Sequence, residues 1–366
     1  MKIEVNIDKF KEAVISAERI TGKNLTLPVL NSVLLIASGK SLKVRATNLS
    51  VGIEIEMSAK IEKDGVLAVK GDVLSNTFSN IGQNENGAVT LEESNGNLSV
   101  KTKNHTVVLK GQSSEDFPTI PVIEGESFEI ESKKFFDGIR SVFYSASNSD
   151  IKPEISSVYV YGEGDNLVFV ATDSFRLAEK KIKMKNASAF KGVIIPLKNA
   201  MELMKIIDGM NGEMKVIFSK NQIAFFFDHI YFTSRIIDGS FPDYKQIIPK
   251  ESATEAIVLK QDLLNAVKIS NVFSDKFNQI NISIKPKSKI FEINSKNFDV
   301  GENKTRLQAS LSGEDVEVSL NSRYFIDCAQ SIGADSFILK LNGGKPLTIN
   351  GVSDHSFLYL VMPMNR

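Results

Sequence analysis

The segment ATDSFR places Asp173, Ser174 and Arg176 beside one another in the chain. A carboxylate, a hydroxyl and a guanidinium are groups that a hydrolase with a serine nucleophile could use. Such a serine also needs a general base within hydrogen-bonding distance, and the sequence places no histidine next to Ser174. A hydrolase is therefore kept only as an alternative, and unchanged function in Ser174→Ala would remove it.

Other catalytic and metal-binding patterns are weak. His105, His229 and His355 each lack a second histidine or cysteine at metal-ligand spacing. The segment LNGGKPLT resembles a phosphate-binding loop, but Pro346 stands where a serine or threonine should follow the lysine, so it predicts a turn. We expect no metal, no cofactor and no catalysis.

Basic residues recur on predicted helices and could bind phosphates. They are Lys9, Lys11, Arg19, Lys23, Lys70, Lys133, Lys134, Arg140, Lys198, Lys205, Lys260, Lys268 and Arg323. On one shared surface they would hold nucleic acid without reading its bases, because contacts to phosphates carry no sequence information. The alternative is that each helix simply has a solvated face. The balance of 44 basic and 44 acidic residues does not decide between the two.

The helices that must position these charges occur in three copies. The opening copies are VNIDKFKEAVISAERI from Val5, EIESKKFFDGIRSVF from Glu129 and VLKQDLLNAVKISNVF from Val258. A second helix recurs in LAVKGDVLSNTFSNI, VIIPLKNAMELMKII and EVSLNSRYFIDCAQSI. Apolar residues three and four apart, as at Phe10, Val14 and Ala17, are typical of amphipathic helices.

The shift of 125 residues between the first two copies extends beyond the helices. Val33 corresponds to Val158, and the pair Ala46 and Thr47 corresponds to Ala171 and Thr172. A repeat of this length is the size of a domain. We therefore predict three similar domains, at residues 1–121, 122–249 and 250–366.

Paired β-rich runs around turn residues predict antiparallel hairpins in each copy. Examples are SVYVYGEGDNLVFVATD, LLIASGKSLKVRAT and NISIKPKSKIFEINS. Each domain should then hold two helices against antiparallel sheet, an α+β arrangement. The lone Cys328, expected on a helical face beside Ile332, and the charged N-terminus favour a cytoplasmic protein without a membrane span.

Four further segments resemble one family. TLPVLNSVLL, VATDSFRLAEKKI, DGSFPDYKQIIP and the final YLVMPMNR are similar to motifs of the bacterial DNA sliding clamp, the β subunit of DNA polymerase III. The resemblance covers the whole length, in the family's order. It implies the processivity-clamp fold, with two chains joined head to tail into a closed ring around duplex DNA.

The resemblance also implies partners and a DNA-contacting surface. The expected partners are duplex DNA, the polymerase III catalytic subunit, the clamp loader and other proteins that carry a clamp-binding motif. The clamp would confer processivity and would not be an enzyme. The residues expected to face DNA are Lys9, Lys23, Lys70, Lys134, Arg140, Lys152, Lys198 and Lys205.

A pocket for partner peptides is implied between the second and third domains. Its expected residues are Ile155, Thr172, Ser174, Phe175, Arg176, Leu177, Pro242, Ile247, Phe277, Asn321, Tyr324, Val361, Met362, Pro363 and Met364. An apolar groove of this kind would take leucine and phenylalanine anchors. Phe175 and Gln246 depart from residues that other clamps carry, which affects partner preference. The alternative interpretation is an interdomain core.

The contact between the two chains is expected to use apolar residues of the first and third domains. Val107 and Leu109 match edge-strand positions, and Val272 and Phe273 match their partners. Pairing such an edge with another chain would remove an aggregation hazard. A three-domain peptide-binding hub with no DNA role is the remaining alternative to the clamp.

Overall fold

A computed structural model describes residues 1–22, 27–81 and 87–364. Its residue contacts form two compact units. Unit 1 consists of Met1–Lys133 and Met201–Ile236, and unit 2 of Lys134–Ala200 and Ile237–Arg366. The middle sequence repeat therefore contributes to both units, and its strands show why.

The first repeat lies within unit 1. Its helices and longer strands are β1 (Lys2–Asn6), α1 (Ile7–Ile20), β2 (Ser32–Ser38), β3 (Ser41–Thr47), β4 (Val51–Ser58), β5 (Lys60–Lys63), β6 (Gly65–Lys70), α2 (Gly71–Asn80), β7 (Ala88–Ser94), β8 (Asn97–Lys101) and β9 (Thr106–Gln112). The Asn6 side chain accepts a hydrogen bond from the Lys9 amide, 3.0 Å away, and so caps α1. The Phe10 and Phe78 rings pack edge to face, with centroids 4.8 Å apart, and join α1 to α2.

The second repeat has the same order of elements except that it has no counterpart of β5. They are β10 (Glu126–Glu131), α3 (Ser132–Val142), β11 (Ser157–Glu163), β12 (Asn166–Thr172), β13 (Arg176–Lys183), β14 (Val193–Pro196), α4 (Leu197–Ile207), β15 (Glu213–Phe218), β16 (Gln222–Phe227) and β17 (Ile230–Arg235). Phe135 of α3 packs on Phe169 of β12. A Cβ at Gly138 would lie 2.4 Å from the Phe169 ring, so only glycine allows this close approach.

The third repeat lies within unit 2. It comprises β18 (Thr254–Leu259), α5 (Lys260–Val272), β19 (Gln279–Lys285), β20 (Ile290–Asn297), β21 (Gly301–Arg306), β22 (Ala309–Gly313), β23 (Val316–Asn321), α6 (Ser322–Ala329), β24 (Ser336–Leu341), β25 (Leu347–Gly351) and β26 (Phe357–Val361). Asn321 caps α6 by accepting from the Arg323 amide. Cys328 and Ile332 are both fully buried, as the helical face predicted.

All described strand pairs are antiparallel, and the predicted hairpins β2–β3, β11–β12 and β19–β20 are confirmed. Unit 1 contains the sheet β10-β15-β16-β17-β4-β3-β2-β6-β9-β8-β7-β1-β5. Unit 2 contains the sheets β14-β11-β12-β13-β26-β25-β24-β18-β22 and β21-β20-β19-β23. The middle repeat is divided because β17 pairs with β4 of the first repeat, whereas β13 pairs with β26 of the third.

The expected α+β arrangement is confirmed, since α1 packs on β3 and β4, and α5 packs on β20 and β21. In the described part of the chain, no helix is both long and apolar enough to cross a membrane.

Candidate functional site

The turn between β12 and β13 positions the residues that first suggested chemistry. The Asp173 carboxylate accepts hydrogen bonds from the amides of Phe175 and Arg176, each at 3.0 Å. The Thr172 hydroxyl donates to the Arg176 carbonyl at 2.7 Å and accepts from the Ser174 amide at 3.2 Å. Ser174 has a φ of 76°, a left-handed conformation that these bonds hold in place.

The first repeat contains the same turn, 125 residues earlier. Thr47 donates to the Val51 carbonyl, Asn48 accepts from the Ser50 and Val51 amides, and Leu49 has a φ of 73°. The predicted shift is therefore confirmed at the level of individual hydrogen bonds. The two turns differ in four residues, and the last of these differences places Val51 in one turn and Arg176 in the other.

The Arg176 guanidinium connects the turn to α6 and to the chain after α3. It donates to Asp173 at 3.0 Å, to Asp327, and to the Tyr144 carbonyl at 2.6 Å. It also stacks on the Tyr324 ring, 4.6 Å from the centroid. Burial alone would lower the pKa of Arg176, but its tyrosine and carboxylate neighbours outweigh burial and raise the pKa. The guanidinium therefore stays charged.

This geometry gives no support to a hydrolase. The Asp173 carboxylate accepts hydrogen bonds from two backbone amides and pairs with the Arg176 guanidinium, so it is not a general base for Ser174. His355, the one histidine of unit 2, adjoins Ser356, which pairs with Lys181 near the far end of β13. Five residues of strand separate Lys181 from Arg176, a distance of about 16 Å. Asp173 and Ser174 are turn residues.

The predicted pocket residues of the second and third repeats meet where β13 pairs with β26. Arg176 lies opposite Val361, and the Met362 amide donates to the Phe175 carbonyl at 2.8 Å. The Met364 amide donates to the Ser319 carbonyl, which brings the C-terminal segment beside β23. Asn321 of that strand donates to the Phe277 carbonyl. These contacts place residues from both repeats on one surface.

That surface has an apolar exposed layer over a buried floor. Phe175 is 64% exposed, and Phe277, Ile247, Pro242 and Met362 are also exposed. A groove of about 640 Å³ includes both Ile247 and Met362. Below this layer lie predicted residues that are buried and support it from inside: Ile155, Thr172, Leu177 and Val361. Pro363 and Met364 are half-buried.

The segment that carries Pro242 and Ile247 is fixed by a polar network that the sequence did not predict. The Tyr244 hydroxyl donates to the buried Glu179 carboxylate and lies 2.8 Å from the Tyr161 hydroxyl. Burial, with Glu179 adding to it, raises the pKa of Tyr244, so the hydroxyl keeps its proton. Tyr244 and Glu179 are 65 residues apart in the chain, so no local pattern could have paired them.

The predicted DNA-contacting residues are exposed wherever the structure describes them, and Lys23 lies outside the described residues. The exposed ones are Lys9, Lys70, Lys134, Arg140, Lys152, Lys198 and Lys205. Lys70, Lys198 and Lys205 each form a surface ion pair with a neighbouring carboxylate, at 3.1, 2.9 and 2.8 Å. Such exposed pairs contribute little free energy, so a phosphate can displace the carboxylate.

The predicted interface residues differ in exposure. Leu109 is only 6% exposed because it faces Leu98 inside unit 1, whereas the neighbouring Val108 is 66% exposed. Val272 is exposed, and Phe273 is half-buried at the end of α5. Two residues that the sequence did not single out, Phe298 and Val300, extend this apolar surface at the β20–β21 turn, where Phe298 is 96% exposed.

The chain matches models of all three domains of one protein family. The N-terminal domain of the DNA polymerase III beta subunit matches residues 1–121, the central domain residues 129–243 and the C-terminal domain residues 245–365. The chain belongs to this family. The resemblance seen in the sequence motifs is thereby confirmed, and with it the three-domain clamp fold.

Individual relatives agree along the whole length. The chain is 27% identical to the beta sliding clamp of Synechococcus elongatus over 92% of each chain, and 24% identical to that of Bacillus subtilis over 100% of this chain and 99% of the relative. The crystal structure of the Bacillus subtilis sliding clamp superposes with a TM-score of 0.94, at 24% identity, over 100% of this chain and 99% of the other.

A sliding clamp from Bartonella birtlesii bound to griselimycin also superposes with a TM-score of 0.94, at 25% identity and full coverage of both chains. The family is that of DNA sliding clamps, the non-catalytic processivity subunits of the polymerase. The turn at Asp173 and Ser174 therefore has a structural role in a clamp.

Proposed function

We propose that two copies of this chain close into a ring around duplex DNA and tether the replicative polymerase to it. One observation carries the proposal: the two joints between consecutive repeats use the same strand pairing, and the strands that would form a third joint are open edges. Confinement by a ring needs no tight grip, so weak contacts to phosphates would allow sliding.

The two joints correspond residue by residue. In unit 1, Val51 and Ile53 of β4 lie opposite Ser234 and Phe232 of β17. In unit 2, Arg176 and Ala178 of β13 lie opposite Val361 and Tyr359 of β26. Positions 51 and 176 are related by the shift of 125 residues. In both joints, therefore, the equivalent strand of one repeat pairs with the last strand of the repeat that follows it.

The strands left over are β21 of the third repeat and β9 of the first. Among the described residues, β21 pairs only with β20 and ends its sheet. β9 pairs with β8 along its length, but on its other side Gly111 and Gln112 are the only residues that pair within the described chain, and their partner is β6. Residues 106–110 of β9 therefore present an open edge, which natural proteins rarely leave uncovered.

The same shift gives the register of the missing joint. The shift to the third repeat varies, since Ser234 of β17 corresponds to Val361 of β26, 127 residues further on. For β21 we propose the same 125 residues that relate β4 to β13, applied twice, which takes Ile53 to Asn303; moving Phe232 back by 125 residues gives Val107 on β9. Asn303 of one chain should lie opposite Val107 of the other, and Gly301 opposite Leu109. Two chains then supply two such joints and close the ring head to tail.

The remaining parts of the proposal follow the family. The three domains are residues 1–121, 122–249 and 250–366, and the ring works in the cytoplasm. The catalytic subunit of polymerase III, the clamp loader and other proteins with a clamp-binding motif would dock in the groove at Ile247 and Met362 and on the neighbouring exposed Phe175. The residues proposed to face DNA are Lys9, Lys23, Lys70, Lys134, Arg140, Lys152, Lys198 and Lys205.

A disulfide test addresses the proposed joint directly. Side chains directly opposite on antiparallel strands have Cβ atoms about 4.5–5.5 Å apart, close to the spacing of a disulfide. The variant with Val107→Cys and Asn303→Cys should oxidise to a covalent dimer of twice 40.4 kDa. Cys328 is buried and should not interfere. The matched control pairs Val108→Cys with Asn303→Cys, because Val108 faces the other side of the strand.

The oxidised ring then tests the DNA role. When the reduced variant is loaded on circular duplex DNA and then oxidised, the crosslinked ring should stay bound in high salt and leave once the DNA is cut. Equal retention on circular and linear DNA would contradict encirclement, and failure of Val107→Cys and Asn303→Cys to crosslink would contradict the register. Charge reversal at Lys23, Lys134 and Lys198 together should lower activity in replication assays, whereas a peptide-binding hub would lose nothing in them.

A further inference from the structure

The groove in unit 2 continues past the residues that the sequence predicted. Beyond Ile247 and Met362, the 640 Å³ groove is lined on one wall by Pro249 and Lys250. The turn between β24 and β25 forms its other wall with Lys345 and Pro346. An apolar strip therefore leads from the predicted anchor site into a region with a lysine on each wall.

The charge of this extension is positive. Lys250 and Lys345 are exposed, and neither takes part in an ion pair among the described residues. A smaller adjoining cavity of about 90 Å³ shares Lys250 and Pro346 and adds Lys340. Glu251 is the one acidic residue that lines either cavity in the described part of the chain. Lys340 pairs with Glu255 at 3.9 Å, so Lys250 and Lys345, which form no ion pair among the described residues, are the charges that outweigh Glu251 and favour an anionic ligand.

We propose that this extension binds an acidic flank of the partner peptide. The occupant is an extended segment whose apolar anchors lie over Ile247 and Met362 and whose adjoining residues include an aspartate or glutamate between Lys250 and Lys345. The inference rests on the proposed peptide-docking function. It adds that the groove prefers partner peptides with an acidic residue beside their apolar anchors. Apolar anchors alone fit many sequences, whereas a carboxylate placed between two walls distinguishes among partners.

The size of the preference follows from the exposure of the lysines. Exposed ion pairs contribute about 0.2–1 kcal/mol each, so each lysine should improve affinity by up to about fivefold at low salt. The preference should shrink as salt is added, because these charges lie in reach of the solvent.

The test uses the full-length chain and four labelled peptides with the same leucine and phenylalanine anchors. Two carry aspartates on the N-terminal or the C-terminal side of the anchors, and two carry asparagines at the same places. We expect one aspartate peptide to bind about three- to tenfold more tightly than its asparagine counterpart at low salt. The variant Lys250→Gln with Lys345→Gln should lose this preference and still bind the asparagine peptides.

The matched control is Lys183→Gln with Lys191→Gln, which removes two exposed lysines of unit 2 that line neither cavity. Equal affinity for aspartate and asparagine peptides would overturn the acidic-flank proposal alone. A preference that survives Lys250→Gln with Lys345→Gln would also overturn it. If no peptide binds at all, the peptide-docking function itself fails, so the two failures are distinguishable.

Discussion

Replacing Arg176 by valine tests the role of the guanidinium at the joint between β13 and β26. The first repeat holds the same turn with Val51 at the equivalent position, so Arg176→Val should keep the turn. What it removes are the hydrogen bonds to Asp173, Asp327 and the Tyr144 carbonyl. Breaking a buried ion pair typically costs about 3–5 kcal/mol.

The expected cost is smaller here, because water reaches the carboxylates. The Arg176 side chain is 11% exposed, but Asp173 is 19% and Asp327 37% exposed. We therefore expect Arg176→Val to lower the free energy of unfolding of unit 2 by about 2–3 kcal/mol. Urea denaturation followed by circular dichroism measures this loss, and hydrogen exchange at the Met362 amide reports whether the joint opens locally.

A double-mutant cycle with Asp327→Asn decides whether the ion pair carries the effect. The two single substitutions should be non-additive, with a coupling of about 1 kcal/mol or more. Additive losses, or an Arg176→Val variant as stable as the parent, would refute the reasoning. Val51→Ala in the first repeat is the control, since it should leave unit 2 unchanged.

Two further predictions concern titratable groups. Burial opposes ionisation of Glu54, but its hydrogen bond from Lys43 and its contact with Arg45 outweigh burial and lower its pKa. Glu54→Gln should therefore cost about 1 kcal/mol at pH 7, and the difference should shrink as the pH falls below the pKa of an unfolded glutamate and vanish once it falls below the lowered pKa of Glu54; urea midpoints across this acid range check this. Burial, together with the neighbouring Asp327 carboxylate, raises the pKa of the Cys328 thiol. A thiol reagent at pH 8 should therefore label the urea-unfolded chain and not the folded chain. Rapid labelling of the folded chain would contradict complete burial of Cys328.

The repeat pattern predicted the fold well because its shift reflects real backbone geometry. The shift that relates Thr47 to Thr172 also relates their turns, hydrogen bond by hydrogen bond. Helices and hairpins followed from local periodicity, which depends only on neighbours in the chain.

The sequence was less informative where contacts join distant residues. The bond between Tyr244 and Glu179 spans 65 residues and has no local signature. At β9 the motif match pointed to Val107 and Leu109, which lie on one face of the strand, and Val108 lies on the other; the sequence alternation showed two faces but not that Val108 would be the most exposed of the three. The exposed lysines were predictable one helix at a time, but their arrangement on a common surface was not.

The open edges of β9 and β21 make each chain a bifunctional monomer in the polymer chemist's sense. The β9 edge of one chain can pair with the β21 edge of another, so the chains can either close into a ring or keep adding chains to form a filament. The angle at the joint decides which of the two forms. The joint between chains is built from β9 and β21, so a substitution in either strand that bends their pairing would change the angle at which the next chain is added. Its signature would be open fibres in place of dissociated chains.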